Sequence, residues 1–315
     1  MTLKGKNILV TGAGGFAGSH LCKALINQGA NVRAYVKRGS PLSNLTDIIN
    51  DIQIMKGDIQ DITNLLTAMK DVDYVFHVAA ITPVHESRDL PWLSAQVNTV
   101  GTFNVVWSAA RSGVKKLLYT STCHVYGNQP DSNLPIKEDT APNPLDIYSA
   151  TKYAGEVLMR QFMHTDGIEL MITRSFNKYG PKQVGDWLFP RTIKKVLTQD
   201  KIKVGNPNST RDFSFIDDII SGYMLLMEKG KNGDLFNFGS SKETSVKEIV
   251  DKIIEASGRN VSVEWETFRQ VDILRSFGDC SKAMKVLGWK PKVSLEEGIR
   301  RTVDWWKQHP ELLKH

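Results

Sequence analysis

The chain has 315 residues, 41% of them hydrophobic and 23% charged, which is room for one large α/β unit or for a nucleotide-binding domain with a smaller second lobe. No apolar stretch approaches bilayer length, and the three cysteines (Cys22, Cys123, Cys280) lack CxxC spacing, so no membrane span and no zinc site are expected. The formal charge of +6 is spread over scattered Lys and Arg residues without a single basic face, which argues against a nucleic-acid partner and suits anionic metabolites.

The opening "MTLKGKNILVTG" runs into a strand pattern with no signal-peptide core, and a cytoplasmic protein is expected. "NILV" is followed by a helical pattern over 16–28, then by the strand patterns "VRAYV" and "IQIM" and a polar helix over 62–69. "DYVFHVAA", a long helical stretch over 92–112, "KKLLYTS", a helix over 147–164 and "ELMITRS" complete the first half. Short apolar runs separated by helical patterns predict crossovers and a doubly wound parallel α/β sheet of the Rossmann type. Beyond Arg174 Gly, Pro and Asn thicken and the alternation fades, although helical patterns remain at 190–198, 216–228, 246–257 and 295–309. The expected division is a dinucleotide-binding domain over 1–174 and a mainly substrate-binding lobe over 175–315, with some segments returning to the first domain.

In "VTGAGGFAGSH", Gly12, Gly15 and Gly18 lie between the first strand and the first helix. Glycines there let the backbone turn sharply and approach a pyrophosphate, which then sits on the positive end of the helix. This predicts a bound dinucleotide. The second strand ends in "AYVKRGS", with Lys37 and Arg38 and no carboxylate. Cations there suit the 2′-phosphate of NADP, so NADP is favoured slightly over NAD; a solvated basic loop is the other reading. Asp58, in "KGDI", stands after the third strand, either to accept from an adenine amino group or to cap a helix.

The fifth strand runs into "TSTCHVYG", a polar strand end carrying Thr122, Cys123 and His124. Downstream, "DIYSATKYAGE" sets Tyr148 and Lys152 four residues apart, on one face of a helix. An ammonium beside a phenol stabilises the phenolate and makes it a usable base.

Taken in this order, "TGAGGFAG", "HVAA", "VNTVGTFNVV", "TSTCHVYG", "YSATK", "SFNKYGP", "RDFSFIDD" and "RQVD" resemble the motifs of the extended short-chain dehydrogenase/reductase family, the NAD-dependent epimerases and dehydratases of nucleotide sugars. The resemblance spans essentially the whole chain. It implies that Tyr148 is the acid/base, Lys152 its electrostatic partner and a ribose contact, and Thr122 the donor to the reacting sugar oxygen. It implies cofactor contacts at Phe16, Ile59, Ala79 and Ala80 beside the glycines, and substrate contacts at Asn177, Arg211, Arg269 and Asp272. The substrate would be a nucleotide-diphosphate sugar, oxidised transiently at C4.

Epimerisation is the leading expectation, with a 4,6-dehydratase or a net NADP-dependent oxidoreductase as alternatives. The related dehydratases carry acidic residues where this chain has Cys123 and His124, which favours epimerisation. A thiol and an imidazole can still move protons, or both merely line the pocket. Apolar side chains on the stretches 92–112 and 147–164 (Val100, Phe103 and Val157 among them) match the helices through which the family forms homodimers, and packing against the sheet would explain them equally.

Overall fold

The structure, a computed structural model, describes residues 3–82, 84–163, 167–266 and 274–313. Its first half runs β1 (Asn7–Thr11), α1 (Phe16–Asn27), β2 (Asn31–Val36), β3 (Ile52–Lys56), α2 (Ile62–Ala68), β4 (Tyr74–His77), α3 (Val84–Asp89), α4 (Pro91–Ala95), α5 (Gly101–Arg111), β5 (Lys116–Thr122), α6 (Ile147–Phe162) and β6 (Glu169–Ser175). The second half adds β7 (Asn177–Tyr179), α7 (Leu188–Thr198), β8 (Lys201–Val204), β9 (Thr210–Arg211), β10 (Phe213–Phe215), α8 (Ile216–Lys229), β11 (Leu235–Phe238), β12 (Thr244–Ser245), α9 (Val246–Ser257), β13 (Ser262–Trp265), β14 (Arg275–Ser276), α10 (Ser281–Leu287) and α11 (Leu295–Lys307).

Seven strands lie in the order β11-β6-β5-β4-β1-β2-β3, and every neighbouring pair is parallel. This is the doubly wound α/β sheet expected from the sequence. The chain lays β1, β2 and β3 outward, then returns to set β4 on the other side of β1. That reversal opens a crevice at the carboxyl ends of β1 and β4, where such sheets bind ligands. The edge strand β11 comes from the second half and pairs with β6, so the sheet is closed by a returning segment.

Alternate residues of each strand feed opposite faces. Ile8, Val10, Phe76 and Leu118 pack with α1 and α8, in a cluster that continues through Ile219, Leu226 and Phe238. Leu9, Val75, Leu117 and Tyr119 pack on the other face with Leu65, Val105 and Met159. Both faces of the central strands are therefore covered, which is why those strands read as unbroken apolar runs.

The stretch 92–112 is not one helix. Gln96–Val100 forms a π-turn between α4 and α5. The turn carries Asn98 inward, where its Oδ1 accepts from the Ile81 amide and its Nδ2 donates to the Ile81 carbonyl and Thr151 Oγ1. The break thus ties the loop after β4 to α6. No helix among the described residues is long and apolar enough to cross a membrane.

Candidate active site

A cavity of about 350 Å³ lies in the β1/β4 crevice, roofed by the segment that follows β6. Gly12, Gly15, Phe16 and Gly18 line it from the β1–α1 turn and the start of α1, Ala79 and Ala80 from the loop after β4, and Thr122, Cys123, His124 and Tyr148 from the end of β5 and the start of α6. Gly12 adopts φ +70°, and a Cβ there would lie 2.7 Å from the Ala79 backbone, so only glycine lets β1 and β4 end this close together. A Cβ on Gly18 would run into the Gly12 carbonyl oxygen. Gly15 occupies the N-cap of α1 and offers no side-chain cap, so the first-turn amides keep no side-chain acceptor of their own. A dinucleotide pyrophosphate fits this cradle of glycine backbone and amide donors.

The two strand ends are bolted together by polar groups. Thr102 Oγ1 donates to the Asn98 carbonyl, so it takes the Nε2 proton of His77; His77 Nδ1 then accepts from Thr11 Oγ1 at 2.8 Å. The Thr11 oxygen in turn accepts from the Val78 and Ala79 amides. Burial, with the Lys152 charge nearby, pushes the His77 pKa well below its ordinary value, so this imidazole is a neutral structural link.

Asp146 fixes the start of α6. Its carboxylate accepts from the Ser149 amide at 2.7 Å, and Ser149 Oγ accepts from the Asp146 amide, a capping box that sets the first turn and with it Tyr148. Tyr148 and Thr122 line the same cavity, and burial raises the Tyr148 pKa above the ordinary value, with the Thr122 side chain opposing the rise. One turn on, Lys152 is fully buried. Burial, reinforced by the Lys178 charge and opposed by Glu156, lowers its pKa to about 7. A further turn on, Glu156 is gripped by Arg174 through Nε at 3.0 Å and Nη2 at 2.6 Å, and accepts from Ser121 Oγ. Buried pairs of this kind contribute little net stability, but they fix geometry. Here the pair anchors α6 to β5 and β6 directly behind Lys152.

Cys123 is buried, and desolvation pushes its thiol up to about 12, so it is protonated at neutral pH. His124 is half-buried, with its ring edge-on to Tyr148 at 5.9 Å and Nδ1 at 4.0 Å from Asp146 Oδ2. Asp146 is held below the usual carboxylate range, against its partial burial, by His124 and the Ser149 amide.

Not every expected residue reaches the cavity. Lys37 and Arg38 are exposed at the end of β2. Asp58 accepts from the Gln60 amide and side chain, while the α2 N-cap is Asp61, so the capping role falls three residues later than the sequence suggested. Ile59 is buried, and its carbonyl accepts from Asn104 Nδ2. Asn177 lines the cavity and donates to the Asp212 carbonyl; Arg211 does not line it, and donates to the Thr210 and Leu274 carbonyls. Arg269 and Asp272 lie outside the described residues. Among the lining residues that went unread in the sequence are Lys178 and Gln183. Among the described residues Lys178 brings a cation that makes no ion pair, and Gln183 donates to the Lys178 carbonyl while its buried Oε1 finds no partner. Both sit in or just past "SFNKYGP", the signal that could have found them.

A doubly wound sheet with a glycine cradle beside a Thr–Tyr–Lys group defines a dinucleotide-dependent enzyme of the Rossmann type. Residues 9–302 match the family model described as GDP-mannose 4,6 dehydratase. The chain is 32% identical over 326 residues to a UDP-glucuronate 4-epimerase of Thermodesulfobacterium geofontis, covering 97% of this chain and 98% of the relative. A UDP-glucose 4-epimerase of Thermotoga maritima, solved with UDP-glucose, superposes with a TM-score of 0.91 at 29% identity, covering 96% of this chain and 99% of that one. A dTDP-glucose 4,6-dehydratase of Streptomyces venezuelae, solved with NAD, gives 0.91 at 26% identity, with 97% and 98% covered. The chain belongs to the extended short-chain dehydrogenase/reductase family of nucleotide-sugar epimerases and dehydratases.

Proposed function

We propose that the protein is a nucleotide-sugar 4-epimerase that uses NAD(P) as a resident cofactor. The observation that carries the reading is the placement of Thr122 and Tyr148 together in a cavity continuous with the glycine cradle, beside a strand end that offers Cys123 and His124 where a dehydratase needs carboxylates. Bound NAD(P) supplies reversible hydride acceptance at C4. Tyr148 takes the C4 hydroxyl proton and returns it, and Thr122 donates to the oxygen as its charge develops. Lys152 stabilises the phenolate, which gains only while Lys152 is charged, so the two act as a unit. The Cys123 thiol holds its proton too tightly to act as an acid near neutrality and shapes the pocket wall.

In this reading Gly12, Gly15, Phe16, Gly18, Ala79 and Ala80 hold the cofactor, and Asn177, Arg211, Arg269 and Asp272 the nucleotide diphosphate. Lys37 and Arg38, exposed at the end of β2 where "AYVKRGS" has no carboxylate, favour NADP slightly over NAD. In this reading residues 1–174 form the cofactor domain, and 175–315 mainly the substrate lobe, with segments such as β11 returning to the first domain. A homodimer is part of the proposal: Trp92, Val100, Phe103 and Val157 are exposed on α4, the π-turn, α5 and α6, while Val106 and Met159 turn to the core. A 4,6-dehydratase is favoured by one observation, the His124–Asp146 pair against Tyr148, which can accept a second proton. Incubation of the purified protein with UDP- and dTDP-hexoses and UDP-uronates, read by NMR, tests the proposal. A C4 epimer supports it, and a 4-keto-6-deoxy product replaces it with the dehydratase.

A further inference from the structure

The reading of Tyr148 as acid/base leaves one problem. Its partner Lys152 is fully buried, and Lys178 repels its charge. Among the described residues its ammonium has no ion-pair partner. The nearest acid along the helix, Glu156, is occupied by Arg174 and Ser121.

What faces the ammonium is an aromatic ring. Lys152 Nζ lies 4.1 Å from the centroid of Tyr119, a fully buried residue of β5. That ring is fixed from several sides. Its hydroxyl donates to the Lys152 carbonyl at 3.2 Å, and the neutral, doubly hydrogen-bonded His77 stacks on it at 5.4 Å and 29°. A Cβ on Gly155 would meet the Tyr119 oxygen at 2.5 Å, so glycine there makes room for this placement.

A ring face attracts a cation through its quadrupole without the strong, directional hydrogen bonds that a carboxylate would take from its N–H groups. A carboxylate in the same place would attract more strongly, but it would occupy donors and cancel the field that the phenolate needs.

We propose that Tyr119 is a positioning residue for the reaction: its ring face keeps Lys152 charged and in place on the helix face shared with Tyr148, leaving ammonium donors for cofactor and phenolate. The proposal rests on the acid/base reading of Tyr148. It makes the ring, not the hydroxyl, the part that matters.

Three replacements at position 119 separate the possibilities: Phe, which keeps the ring; pentafluorophenylalanine, which keeps the shape but removes the negative face; and Leu. The readouts are the pH profile of kcat/KM and, independently of turnover, the tyrosinate absorbance titration of the cofactor-loaded protein with Tyr148→Phe as blank. The Phe variant should keep the ionisation limb where the wild type has it. The fluorinated and Leu variants should move the limb upward by about one unit and cost about tenfold in kcat/KM at neutral pH. A Phe variant shifted as far as Leu would overturn the proposal in favour of the hydroxyl. A fluorinated variant that leaves the limb unmoved would reduce Tyr119 to packing. Full activity in Tyr148→Phe alone would instead refute the acid/base reading beneath it, which makes the two failures distinguishable.

Discussion

The two walls of the cavity are built differently. The sheet wall, made by the ends of β1, β4 and β5 with the start of α6, holds its groups on regular elements that buried hydrogen bonds lock together: Thr11–His77–Thr102, Asn98–Thr151, and Glu156 with Arg174 and Ser121. The opposite wall, from Phe176 to Phe213, runs through a short strand, loops and the start of α7, and it is tied to the first half by fewer contacts. Lys182, at φ +68°, donates to the Asn44 carbonyl and to Asp47, and His20 bonds the Pro181 carbonyl. In the proposed reading the reacting groups sit on the wall of regular elements, and the groups that would meet the nucleotide sugar sit largely on the wall of loops.

If that division is right, losses should be steepest on the sheet wall. Tyr148→Phe should lower turnover by at least about a thousandfold while bound cofactor is retained, measured by single-turnover kinetics and by the cofactor released on denaturation. Glu156→Ala leaves Arg174 buried without its partner and should cost about 3–5 kcal/mol in urea unfolding. The matching change in the second half, Arg275→Ala, breaks a half-exposed pair with Glu243 and should shift the urea midpoint far less. Equal losses at the two pairs would erase the comparison.

A smaller effect concerns pH in the second half. Asp212 is buried, and desolvation raises its pKa to about 6 against hydrogen bonds from Ser240, Gly278 and Ser241. The folded state therefore holds this proton after the unfolded chain, near pH 4, has released it. Between those values the folded state binds more protons, so this group makes stability fall as pH rises, by roughly 2–3 kcal/mol in all. Asp212→Asn should be less stable throughout, yet lose that slope relative to wild type in denaturation at pH 4 and pH 6.5. A parallel offset would show that Asp212 titrates normally. A local effect is expected at the exposed end of β2, where Lys37→Ala should weaken NADP by a few-fold and leave NAD nearly unchanged in equilibrium titration.

Legibility in the sequence follows the same division. The glycine turn, the strand runs and the Tyr148/Lys152 spacing depend on local rules, and the sheet order and cavity contain what those rules imply. The π-turn at Gln96–Val100 was invisible because its cause, Asn98 reaching Ile81 and Thr151, is tertiary. Asp58 was ambiguous for a similar reason: two acids stand near the start of α2, and only the fold shows that Asp61 caps it. Lys178 and Gln183 carried no spacing signal, since their entry into the cavity depends on how the segment after β6 folds back. The partner of Lys152 was also unreadable, because Tyr119 sits in an apolar strand run whose pattern says only that it is buried.

The central claim, a C4 epimerisation through Tyr148, is tested most directly by following a nucleotide hexose deuterated at C4 through turnover in ordinary water. The account predicts a C4 epimer that keeps its deuterium at C4, with no exchange at C5. Deuterium found at C6 of a 4-keto-6-deoxy product, or solvent hydrogen entering C5 of deuterated controls, would contradict it.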